Sequence, residues 1–192
     1  MIESILRSTL SGLYTQLGSA LLLSFLFMVV WQNAKESSWK EVIKGWLIKF
    51  RTDKSFRAEF FFTLFVALIL FRTIFCRSVW STHPLKNVFG IWGLYDDRGE
   101  IYTEGIQNCI LFIPFTALLM NMNMRNETSV LKAVLYAFFF STAIELTQLL
   151  LKCGEFQLSD IFYNSLGGFI GGIIYWLFKK VKENGHNKSL QG

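Results

Sequence analysis

The chain has 192 residues, 52% of them hydrophobic, with 20 Phe, only 2 Pro and a formal charge of +5. The apolar residues gather in runs of about 16–22, long enough as helix to cross a bilayer core of about 30 Å, and they are apolar on all faces, which excludes a soluble helical bundle. The basic residues lie between and after these runs, where they orient a membrane protein, so nucleic acid is excluded as the partner.

Five spans are expected, at about 12–31, 59–76, 106–122, 131–151 and 160–178. The fold class is therefore all-α, a polytopic transmembrane bundle. The first run is an uncleaved span rather than a signal peptide: it is long, Glu3 and Arg7 precede it, and no A-x-A site follows. Between the first and second spans stand Lys35, Lys40, Lys44, Lys49, Arg51, Lys54 and Arg57, a cluster that belongs in the cytoplasm. Within it Trp39, Val42, Ile43, Trp46, Leu47 and Phe50 recur at helical spacing, the pattern of an amphipathic helix lying in the inner interface with its lysines against anionic lipid. With five spans the N-terminus is then outside and the C-terminus cytoplasmic, in agreement with Lys179, Lys180, Lys182 and Lys188 in the tail and Arg125 in a short loop. The long outer loop 77–105 mixes charges and carries Trp80, Phe89, Trp92, Tyr95 and Tyr102; it is expected to fold onto the outer interface, as an aromatic belt or as a lid.

Polar residues inside the spans form three pairs. Glu104 and Asn108 stand at the outer mouth of the third span, Glu145 and Gln148 in the outward half of the fourth, and Asp160 and Asn164 at the outer mouth of the fifth. Spacings of three or four put each pair on one helix face. At 1.5 Å per residue Glu145 sits about 9 Å below the outer end of its span, so the three pairs reach similar depths. Amide side chains there act as glue between helices at about 0.5–2 kcal/mol per contact. Three carboxylates fit that role less well, because hydrocarbon penalises a charged acid by about 3 kcal/mol. Either some are protonated, or they line a pocket open to water or a cation that could take a lipid headgroup or another polar, membrane-associated molecule, and glue together with such a pocket is the expected use. Catalysis, with Glu145 or Asp160 as general acid or base, would want a nucleophile; Ser141, Thr142, Thr147 and Ser159 are available, with no histidine beside them.

After Asn164 the fifth span reads LGGFIGG, in which Gly167 with Gly171 and Gly168 with Gly172 make two overlapping small-xxx-small patterns. Packing within the monomer, against the third or fourth span, is the expected use. The cysteines Cys76, Cys109 and Cys153 show no CxxC spacing and no nearby histidine, so neither a metal nor a cofactor is expected. Cys76 and Cys153 fall near span ends on the same side, and free structural thiols are favoured over a disulfide.

The segments EGIQNCILFIPFTALL (104–119), IELTQLLL (144–151) and GEFQLSDIFYNSLGGFIGG (154–172) together resemble the VanZ-like family. The resemblance rests on an N-x-x-x-F-x-P segment (Asn108, Phe112, Pro114), an E-x-x-Q segment (Glu145, Gln148) and a D-x-x-x-N-x-x-G segment (Asp160, Asn164, Gly167), in that order. FRTIFCR (71–77) is similar too, and the likeness covers roughly residues 60–178. It divides the chain into a first span and basic segment (1–58), a four-helix VanZ-like domain (59–178) and a basic cytoplasmic tail (179–192). The pattern departs at Lys152 and Cys153, where an arginine often stands, at Thr116 for a glycine, and at Ser159 for a second acid. What the resemblance implies is a bacterial inner-membrane protein of a family named for teicoplanin resistance. Its partners would be membrane lipids and, at the outer leaflet, a lipoglycopeptide or a lipid-linked cell-wall precursor.

Overall fold

In hydrocarbon every backbone amide must find its partner within the chain, which leaves helix as the solution for an isolated apolar run. The structure, a computed structural model, describes residues 2–33, 38–75, 81–93, 95, 99, 102–122 and 129–189. Its helices are α1 (Ile2–Asn33), α2 (Trp39–Thr52), α3 (Lys54–Leu70), α4 (Glu104–Met122), α5 (Val130–Leu151) and α6 (Leu158–Ser189), with a π-helical turn at Phe71–Phe75 after α3. Five of them are long and apolar enough to cross a membrane: Tyr14–Trp31, Lys54–Phe75, Glu104–Met122, Val130–Leu151 and Leu158–Asn184. These are the five expected spans, and the chain is a multi-pass membrane protein.

Two compact units divide the chain, Met1–Ser78 and Val79–Gly192. In the first unit α3 packs with α1 and α2. There Ala20 of α1 lets α3 approach closely, against Leu64, Ala67 and Leu68. Nearer the α2 end, Met28, Val29, Val42, Trp46, Phe56 and Phe60 form one apolar cluster. Trp46 is its centre, with the rings of Phe25, Phe50, Phe56 and Phe60 at 5.1, 5.0, 5.7 and 5.4 Å. The α2–α3 elbow is closed from both sides. The Asp53 side chain accepts from Ser55 N–H at 2.7 Å and caps α3, while Arg57 Nη1 donates to Phe50 O at 3.0 Å and Arg51 O at 2.9 Å at the end of α2.

In the second unit α6 is the spine, with α4 and α5 both lying along it. Phe115 stacks on Phe140 at 4.9 Å across α4 and α5. Helix α6 does not stop where its span does. It runs on through the residues expected as a tail, where Lys180 lies 5.0 Å from the Trp176 ring and Lys179 stands 4.0 Å from Glu183 one turn on.

Candidate functional site

Glycines decide how closely the helices around α6 approach. A Cβ on Gly167 would strike the Cys109 carbonyl and Phe112, and one on Gly171 would strike the Ile113 carbonyl and the Thr116 hydroxyl. A Cβ on Gly168 would strike Ala137, and one on Gly172 would lie 2.8 Å from Ala133 Cβ. The two overlapping glycine pairs thus divide their work: Gly167 and Gly171 seat α4, and Gly168 and Gly172 seat α5.

These contacts also set the register. Stepping up α6 by one turn from Gly172 to Gly168 steps α5 from Ala133 to Ala137, and the next turn brings Asn164 to Ser141, where Asn164 Nδ2 donates to Ser141 Oγ at 2.8 Å. One turn further the register sets Asp160 level with Glu145. Both carboxylates are withdrawn from solvent, at 4% and 2% exposure, and so are Gln148, Asn164, Ser141 and Ser159. Glu145 Oε2 accepts from Gln157 N–H at 2.8 Å, immediately before α6 begins. Two acids therefore stand at the N-terminal end of one long helix, where the positive end of the helix dipole favours anions.

A strap covers this end. Backbone N–H groups of Phe156, Leu158 and Ser159 donate to the carbonyls of Pro84 (2.9 Å), Val88 (2.8 Å) and Phe89 (3.3 Å), and Ser81 N–H donates to Lys152 O at 2.9 Å. Residues 81–90 thus satisfy the first amides of α6, which no intrahelical carbonyl can reach. Gly90 makes the approach possible: its φ is +72°, and a Cβ there would strike Ser159 Oγ. Trp92 packs on Phe162 at 5.3 Å, while Leu85 and Phe89 stay exposed. The described part of the loop has its backbone bonded to the α5–α6 link; Trp80 lies outside the described residues.

The expected site residues do not all share one depth. Glu145 and Asp160 are level with each other, and Asn164 is one turn deeper. The α4–α6 contacts, Cys109 with Gly167 and Ile113 with Gly171, set Asn108 about 9 Å deeper than Asp160. Asn108 is buried, whereas Glu104 is half-buried and its Oε2 accepts from Tyr102 O–H at 3.2 Å. Gln148, one turn from Glu145 toward the link, is buried, and its carbonyl accepts from Cys153 N–H at 3.1 Å. By the same register Glu104 lies about 3 Å from the level of Asp160, so the three pairs overlap in depth along the α4–α5–α6 seam.

The four candidate hydroxyls separate. Thr142 and Thr147 turn back to their own helix, donating to Phe138 O and Ala143 O at 2.8 and 2.7 Å. Ser141 is held by Asn164, and Ser159 is buried against Gly90. Lys152 caps α5 in a left-handed conformation with φ 54°, and it is exposed. Cys109 and Cys153 are free thiols, and Cys76 lies outside the described residues. Three contributors went unread in the sequence: Gln157, Gly90 and Gln107, the last buried with its Nε2 donating to Thr103 Oγ1 at 3.0 Å. Only Gly90 carried a signal, as the glycine closing a turn begun by Asn87, whose side chain accepts from Gly90 N–H at 3.2 Å.

A family model described as VanZ/LLP1 matches residues 17–179. The match takes in residues 17–58, which the resemblance above had left outside. Among curated proteins the chain is similar to Protein VanZ of Enterococcus faecium, with 34% identity over 79 residues, 41% of this chain and 48% of that protein. The chain thus spans about half the length of the curated relative it matches. No solved structure matches it.

Proposed function

The chain belongs to the VanZ/LLP1 family, and on that premise we propose that it lowers susceptibility to glycopeptides of the teicoplanin type from within a bacterial cytoplasmic membrane. The reading has it act without catalysis, by binding a lipoglycopeptide or a lipid-linked cell-wall precursor at the end where Glu145 and Asp160 lie buried. With the basic segment 32–58 and the tail in the cytoplasm, that end faces the outer leaflet, where both ligands reside.

One observation carries it. Two acids are set level with each other and withdrawn from solvent at the start of α6, under a strap that satisfies the helix's first amides. Helix adhesion alone does not ask for carboxylates, since amides serve it at lower desolvation cost.

The test replaces Glu145 with Gln and Asp160 with Asn and measures membrane level and teicoplanin susceptibility together. The expected outcome is a near-normal level with increased susceptibility in both variants. Collapse of the level assigns the acids to packing, and normal level with normal susceptibility sinks the binding site. The same two buried acids favour a second reading, an intramembrane enzyme using Glu145 and Asp160 as acid and base on a lipid-linked substrate. Purified protein would then convert that substrate, and both variants would fail to.

A further inference from the structure

Helix α2 uses only part of its apolar surface in the fold. Val42 and Trp46 are buried among α1 and α3, yet Trp39, Ile43 and Leu47, one turn apart along the helix, remain exposed at 72%, 45% and 46%. On a helical wheel this stripe has the buried residues on one side and the exposed cations Lys40, Lys44 and Arg51 on the other. Ile48, exposed at 52%, lies beyond these cations with Glu41 and Thr52 on the far side, away from the stripe.

The position of α2 is restricted from both ends. The apolar stretch of α1 ends at Trp31, and the apolar stretch of α3 begins at Lys54, one residue after α2 closes at Thr52. A helix of 14 residues, about 21 Å long, tied this shortly to two spanning helices stays at one membrane face. The elbow bonds from Arg57 to the Phe50 and Arg51 carbonyls hold its end against α3, so the stripe points where the fold sets it.

We propose that this face of α2 is a docking surface for anionic phospholipid headgroups: Trp39, Ile43 and Leu47 enter the acyl boundary while Lys40, Lys44 and Arg51 take the lipid phosphates. Charge complementarity selects this occupant. A stripe of three apolar side chains edged by three cations matches a layer that is apolar below and anionic above. The tryptophan at one end of the stripe suits the interface itself.

The full-length protein is reconstituted in phosphatidylcholine vesicles carrying a trace of spin-labelled phosphatidylglycerol or spin-labelled phosphatidylcholine, and the protein-restricted fraction of each probe is read by electron paramagnetic resonance. The anionic probe is favoured, and the preference falls at about 1 M salt, where screening acts within about 3 Å. The triple variant Lys40→Gln, Lys44→Gln, Arg51→Gln loses most of the preference, while Lys179→Gln, Lys180→Gln, Lys182→Gln keeps it. No preference in the parent, or the same preference in the α2 variant, overturns the proposal. If the triple variant loses its helix content, Lys44→Gln alone and the salt titration of the parent decide, and a preference insensitive to both is equally fatal. Disulfide crosslinking of an Ile43→Cys variant to itself assigns the stripe to a second copy of the chain and overturns the lipid surface.

Discussion

Gly168 shows how much one side chain decides in this bundle. A Cβ there would strike Ala137, and the Ala133 carbonyl lies at 3.2 Å from the same point. Gly168→Ala is therefore expected to lower stability in detergent by about 1–3 kcal/mol through overpacking. Ala137→Gly by itself loses about 1 kcal/mol of helix propensity, but combined with Gly168→Ala it returns the space. Thermal or denaturant unfolding of the four proteins should show a double variant less destabilised than the sum of the singles; strictly additive losses would refute the contact. The glycines themselves were legible in the sequence as a small-xxx-small repeat. Their division between α4 and α5 was not, because two overlapping patterns on one helix do not say which neighbour sits on which side. The same holds for Asn164. Its spacing from Asp160 marks a common face, whereas its partner Ser141 is set only by how α5 and α6 meet.

Among the elements, the strap 81–90 is the one whose sequence said least. Its rings read as an interfacial belt, yet its hold on the protein comes from main-chain bonds to Phe156, Leu158 and Ser159, which carry no side-chain signature. Gly90 concentrates that dependence, since it combines a left-handed φ with the close approach to Ser159. Gly90→Ala is expected to speed amide exchange at residues 156–159, measured by mass spectrometry, while the middle of α6 stays protected. Gly99 supplies the control. Its φ is +75° but nothing lies within 4 Å of where its Cβ would stand, so Gly99→Ala adds backbone strain without a clash and should leave 156–159 as in the parent. Equal exchange in both variants would mean that the strap does not depend on contact at Gly90. Helix α2 was, by contrast, readable in advance, because lysines and large apolar residues alternate along it with the helical period.

For the whole molecule, the proposed orientation makes a prediction that is independent of the site. In a cysteine-free background, a cysteine replacing Lys44 should react with an impermeant maleimide only after the cells are opened, and one replacing Glu155 should react in intact cells. Labelling of the Lys44 position from outside would reverse the proposed topology and move the Glu145–Asp160 end to the cytoplasm. What the sequence by itself determined is the class of molecule: five apolar helices, their order, a basic amphipathic helix between the first two and the polar residues carried by the last three. Those follow from local quantities, namely the length of apolar runs, charge in the links and the helical period, and hydrocarbon enforces them strongly. Only the tertiary structure decided that α3 packs with α1 and α2, that α6 is the spine of the second unit, and that Glu145 stands level with Asp160 while Asn108 lies deeper. Each of these depends on which face meets which neighbour and in what register. Inside a membrane that choice is made by the close fit of small residues such as Gly167 and Gly168, since apolar surface there meets lipid as readily as protein.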